Sequence, residues 1–238
     1  MTIKSFTVTY SNTSSANSYT TANAYDSYYR VNPYKYSGSL VAGSSSMTVP
    51  VDGYMSGSTF VPTSYKTYTY YTLDYIQSNP SYASNACMTD PVDVANYYSI
   101  FGVAPANYAV KGNNTEINAV KSAFGTSNAR LVQYFSRTDG YATAIPNVNA
   151  SSGYVELDLD IDGNYSTSNR GVGRIVGWTY GINNSKYGYG DYIVCDFTDD
   201  HYATFQEFNN LGTFLPKFDA ECQVTGLKWN APKTATIA

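Results

Sequence analysis

Two helical patterns, each opened by a capping residue and closed by a glycine, precede four runs with a β pattern. That order limits the fold more than any other feature of the chain. In "TDPVDVANYYSIFG", Thr89 or Asp90 is placed to cap a helix and Pro91 falls in its first turn. Val94, Tyr97, Tyr98 and Phe101 then recur at helical spacing until Gly102 ends the pattern. "NTEINAVKSAFG" repeats the scheme, with Asn114 or Thr115 as cap, Ile117, Val120 and Phe124 on one face, and Gly125 as stop. The runs "GYVELDLDI", "GRIVGWTY", "DYIVCDF" and "HYATFQEF" follow, and their pattern is that of strands. Helices first and an antiparallel meander afterwards make an α+β layout.

Residues 1–86 differ in character. "SFTVTYS", "SGSLVAGSSSMTVPV" and "SYKTYTYYTLDYI" carry β-formers between Gly, Pro and Ser punctuation, so this stretch is expected to be a β-rich module. Its tyrosines and hydroxyl residues suit adhesion to a wall or glycan; the plainer reading is an accessory structural domain. Residues 87–208 hold the helix-then-strand pattern, and 209–238 are expected to form an irregular C-terminal extension. Charged residues are only 13% of the chain while tyrosines number 26, a balance that favours half-buried pleated surfaces. The net charge of −4 gives no reason to expect polyanion binding over the whole surface, so any nucleic-acid site must be a local cluster of Lys and Arg. Cys87, Cys195 and Cys222 have no metal-ligand spacing; one disulfide with one free thiol, or three buried thiols, both fit. There is no apolar run of about 18 residues to span a membrane. "MTIKSFTVTYSNT" lacks the apolar core of a signal peptide, which fits an intracellular protein or a mature form with an initiator Met.

The chemistry gathers around Glu156. Alternation in "YVELDLD" puts Tyr154, Glu156, Asp158 and Asp160 on one face and Val155, Leu157 and Leu159 on the other, so the polar face is expected to be wet. Arg170 lies in the glycine-flanked turn of "NRGVGRIV", and Arg174 begins the next strand, from which it can approach Glu156 in a meander. His201, the only histidine, is expected to start a later strand on the same face. A carboxylate, two guanidiniums and an imidazole suit phosphodiester cleavage without a metal. The carboxylate takes a proton from the ribose 2′-hydroxyl, the imidazolium gives one to the leaving oxygen, and the arginines stabilise the phosphorane charge. A structural Arg–Glu pair with a surface histidine explains the same letters. "DLDIDGN" also resembles the start of a calcium loop, but position 12 is Asn169 rather than a bidentate Glu, and a hairpin turn is the simpler account.

The motifs "PVDVANYYSIFGVAPANYAVK", "YFSRTDG", "YVELD", "NRGVGRIV" and "DHYATF" stand in the order found in barnase-type enzymes. These are the guanyl-preferring extracellular ribonucleases of bacteria, within the microbial ribonuclease superfamily. Residues 90–208, about half the chain, resemble that family. The resemblance implies a barnase-like domain of N-terminal helices packed on an antiparallel sheet, cleaving single-stranded RNA after guanosine through a 2′,3′-cyclic phosphate. Glu156 would be the general base, His201 the general acid, Arg170 and Arg174 the phosphate-binding arginines, and Lys111 the lysine that stabilises the transition state. The run Phe135 to Gly140 resembles the guanine-recognition loop, with Phe135, Ser136, Arg137 and Asp139 as its contacts, and Tyr202 resembles the aromatic partner of the histidine. The resemblance further implies no metal or cofactor, no DNA substrate, export from the cell, a use as a secreted toxin, and a small acidic inhibitor covering the site. The sequence departs from the family at Arg137 and Thr138, in a longer hairpin before Arg170, in "GINNSKYGYGD", and in its acidic charge. The rival reading is a non-catalytic, tyrosine-rich adhesion protein on the same scaffold.

Overall fold

The computed structural model describes residues 6–8, 35–56, 59–135, 154–161, 163–179, 193–198, 201, 206–207 and 233–235, which mix helix and strand. Strands β2 (Ser46–Ser56) and β3 (Thr59–Thr69) form a long antiparallel hairpin. The alternating "TYTY" turns Tyr68 inward, 1% exposed, and Thr67 outward. On the outer face hydroxyls pair across the strands, Ser46 with Thr69 at 3.2 Å and Thr48 with Thr67 at 2.7 Å. The β pattern expected to run on through "YYTLDYI" stops at Thr69, because the Thr72 hydroxyl accepts from the Tyr75 amide and starts helix α1 (Leu73–Ser78). A 3-10 turn (Pro80–Tyr82) and the short α2 (Ala83–Ala86) follow, so the end of the supposed β module is helical. In the tail, β10 (Lys233–Ala235) pairs antiparallel with β1 (Phe6–Val8), giving the expected irregular extension one short strand.

Helix α3 (Pro91–Phe101) is capped by Asp90, whose carboxylate accepts from the amides of Val92 and Asp93. It ends at Gly102 in the left-handed conformation, φ 71°. Every residue from Val94 to Phe101 is buried, which its sequence pattern alone does not require. The cause is a sandwich: the hairpin covers one side and the main sheet the other. Val49 and Tyr68 of the hairpin share one apolar cluster with Val94, Tyr97 and Ile100 of the helix and with Leu157 and Ile175 of the sheet. Packing therefore runs across position 86. Polar ties reinforce it: the Tyr68 hydroxyl donates to Asp93 at 2.8 Å and accepts from the Asn96 amide at 3.1 Å.

The main sheet has the order β4 (Tyr108–Val110), β5 (Arg130–Phe135), β6 (Tyr154–Asp158), β7 (Arg174–Thr179), β8 (Ile193–Thr198), β9 (Gln206–Glu207). β4 and β5 are parallel, joined by helix α4 (Asn114–Phe124), and the remaining neighbours are antiparallel. The α4 cap is Asn113, one residue earlier than expected, and Gly125 (φ 63°) closes it. Val120 of α4 is buried with Ala109, Ala129 and Leu131. Close approach explains Gly177 on β7: a Cβ there would lie 2.4 Å from the Tyr98 ring of α3. Two cross-strand rows matter for the chemistry. One runs Gln133, Glu156, Val176, Asp196, Glu207; the other runs Asp158, Arg174, Thr198.

Candidate active site

Glu156 and Asp158 are 1% and 0% exposed. The polar face of β6 is therefore covered rather than wet, and what covers it is arginine. After β6 the chain turns at Asp160, whose carboxylate accepts the Tyr165 amide at 3.0 Å. Reciprocal bonds between Ser166 and Asn169, both 2.8 Å, then fold the loop back so that Arg170 lies over the strand. Arg170 donates from Nε to Asp158 Oδ2 at 2.7 Å, and from Nη2 to Asp158 Oδ1 and Glu156 Oε1, both at 2.5 Å. Burial works against the Arg170 charge, but the hydrogen bonds and fields of Asp158 and Glu156 outweigh it and raise its pKa.

Arg174 approaches the same acids from the neighbouring strand, with Nε 3.2 Å from Asp158 Oδ1 and 3.4 Å from Glu156 Oε1. These Nε contacts are electrostatic rather than aligned hydrogen bonds. Its other nitrogens donate to the carbonyls of Gly173, Arg170 and Gly171, which ties the guanidinium to the turn that presents Arg170. Behind the cluster, the Tyr165 hydroxyl donates to Asp158 Oδ2 at 3.0 Å, and the Arg130 guanidinium lies 4.3 Å over the Tyr165 ring. Such a buried network is sensitive to the loss of any one member.

Lys111 reaches this face through the β4–β5 pairing. Its amide donates to the Val132 carbonyl at 2.9 Å, and its exposed ammonium donates to Gln133 Oε1 at 2.7 Å. Gln133 sits opposite Glu156 in the sheet, and Arg170 Nη1 approaches the same amide oxygen at 3.4 Å. Lys111, Glu156, Arg170 and Arg174 are thus brought together. Two further residues complete the group, Asp158 and Gln133. Spacing already offered Asp158, two positions from Glu156, but nothing local marks Gln133.

His201 does not begin a strand as expected. It sits exposed in a turn after β8, at φ 57°, the one non-glycine residue of positive φ among those described. Histidine is among the residues that tolerate this region, and such positions often serve function. It follows Thr198 by three positions, and Thr198 pairs with Arg174, so the chain leaves β8 at the arginine row. Phe135 ends β5 opposite Tyr154. Ser136, Arg137, Asp139 and Tyr202 lie outside the described residues, as does Cys222.

Cys87 is a free thiol, and the buried Cys195 sulfur lies 3.4 Å from the Ser99 hydroxyl. Burial pushes the Cys87 thiol pKa up, with the Arg130 charge pulling the other way. Asp158 and Asp160 are not turned to a shared cation: the first is engaged by Arg170 and Tyr165, the second by Arg130 at 2.9 Å. Among the described residues no group of three potential ligands forms a metal site, and no helix is long and apolar enough to cross a membrane.

No family model, curated protein or solved structure matches this chain.

Proposed function

We propose that the chain is a metal-independent endoribonuclease with a barnase-like domain, cleaving single-stranded RNA after guanosine through a 2′,3′-cyclic phosphate. One observation carries the reading: Glu156 Oε1 contacts both Arg170 and Arg174 on a sheet face that Lys111 also reaches. There the carboxylates of Glu156 and Asp158 meet two guanidiniums, and the Lys111 ammonium is set beside them by Gln133. An arriving phosphodiester takes guanidinium donors from the acids, and Glu156 is then beside the 2′-hydroxyl whose proton it accepts. His201 protonates the leaving 5′-oxygen. On the family pattern Asp139 would accept hydrogen bonds from the N1 and N2 groups of guanine, with Phe135, Ser136 and Arg137 as further base contacts and Tyr202 as the aromatic partner of the histidine. Export, a toxic role and inhibition by a small acidic protein follow from the same reading.

The test is cleavage of a fluorescent single-stranded RNA in EDTA. Full activity with a cyclic phosphate product and cuts after G supports the reading. Equal cutting of an all-deoxy strand sinks the 2′-hydroxyl mechanism, and a folded protein inert on every RNA leaves the adhesion protein as the better account.

A further inference from the structure

Gln133 belongs to none of the roles assigned above, yet its side-chain oxygen touches two of the cations. Lys111 Nζ donates to it at 2.7 Å and Arg170 Nη1 approaches at 3.4 Å. Two like charges brought to one point repel, and an oxygen dipole between them offsets part of that repulsion. A carboxylate would do so more strongly, but it would add negative charge beside Glu156 and Asp158. The neutral amide accepts from both cations without adding any. Position also matters. Lys111 is exposed on a flexible stem, and holding it in one place costs side-chain entropy. Gln133 is held in the sheet opposite Glu156, and so sets the ammonium beside the reacting face before any anion arrives.

We infer that Gln133 is a positioning residue, joining Lys111 and Arg170 into one cradle for a phosphate anion. That the phosphate is the scissile group of RNA rests on the ribonuclease reading; the cradle itself does not.

The experiment compares wild type, Gln133→Met, Gln133→Asn, Lys111→Ala and the Gln133→Met/Lys111→Ala double variant. Pyrophosphate binding is read by calorimetry and RNA cleavage by kinetics. Either substitution at Gln133 is expected to weaken pyrophosphate binding about tenfold, close to the effect of Lys111→Ala. The double variant is expected to be no weaker than Lys111→Ala alone, because contacts that act through one another do not add. In cleavage the loss falls on kcat more than on KM. The asparagine variant keeps the amide but is too short for both cations, so it tests reach should the methionine variant fold poorly. Additive losses, or pyrophosphate affinity unchanged in both Gln133 variants, overturn the inference. A protein that cuts no RNA but shows the non-additive binding pattern keeps the cradle and loses only the ribonuclease reading. Wild type that fails to bind pyrophosphate overturns the cradle, whatever it cleaves.

Discussion

Asp158 holds Arg170 in a two-pronged grip, Oδ2 accepting from Nε at 2.7 Å and Oδ1 from Nη2 at 2.5 Å. The acid is fully buried and Arg174 lies against the same carboxylate. Removing the negative charge leaves two guanidiniums short of a partner where water does not reach easily. Asp158→Asn is therefore expected to cost about 3 kcal/mol, the scale for breaking one side of a buried pair. Urea unfolding measures it. A loss under about 1 kcal/mol would mean that the loop relaxes and lets Arg170 into solvent.

Gly177 tests the contact between sheet and helix. A methyl group there would meet the Tyr98 ring at 2.4 Å, and Tyr98 is 6% exposed, with little room to withdraw. Gly177→Ala should lower stability by about 1–3 kcal/mol through overpacking. A thermal melt equal to wild type would show that α3 shifts freely against β7. Tyr98→Leu in the alanine background should recover part of the loss.

The helices were legible because their signals are local. A cap, a proline and a glycine within one turn of the ends fixed α3, and only the choice between neighbouring residues shifted the start of α4 to Asn113. The same locality misled in "YTLDYI", where tyrosines favour strand but the Thr72 hydroxyl begins a helix. For the site, alternation rightly placed Glu156 and Asp158 on one face and could not show that the face is buried. Its cover comes from Arg170, carried back by a loop held through Asp160, Ser166 and Asn169. Gln133 was invisible for a different reason: only the register of β5 against β6 puts it opposite Glu156, and register is not written in any single segment.

Asp160 gives a pH dependence of known sign. Burial works against its charge, but the hydrogen bond from Arg130 and the amides of Tyr165 and Gly163 outweigh it, holding its carboxyl below the usual range. A lowered carboxylate stabilises the fold above its unfolded pKa, near 4, and that stability goes as pH falls through the lowered value. Asp160→Asn should thus be less stable than wild type at neutral pH, with the gap closing in acid. The side chain is partly exposed, so the gap is about 1 kcal/mol at most. Paired urea titrations across the acid range would show it, and a gap that widened in acid would mean the contacts do not favour the charged form.

The ribonuclease reading gives Glu156 the proposed role of general base and His201 that of general acid, and substitution tests both. Glu156→Ala and His201→Ala should each lower kcat by about two to four orders of magnitude, the usual scale for general acid–base groups. Near-wild-type rates in both would cancel the assignment, even with the sheet intact.

An inhibitor that covers this site must find positive charge on a chain whose net charge is −4. The exposed member of the cluster is Lys111, whereas Arg170 is committed to buried acids. Charge changes that probe steering therefore belong at Lys111, because changes at Arg170 would disturb the fold itself. An acidic inhibitor should associate more slowly as ionic strength rises, since the Debye length is about 10 Å at 0.1 M. Lys111→Gln should slow association further. Lys66→Gln, on the hairpin across α3 from the sheet, should leave it unchanged, because Lys66 is paired with Asp93 at 2.6 Å, away from the cluster. Stopped-flow rates over a salt series decide the matter. If Lys66→Gln slows binding and Lys111→Gln does not, the hairpin is the docking surface, and the charge around Glu156 has no part in recognition.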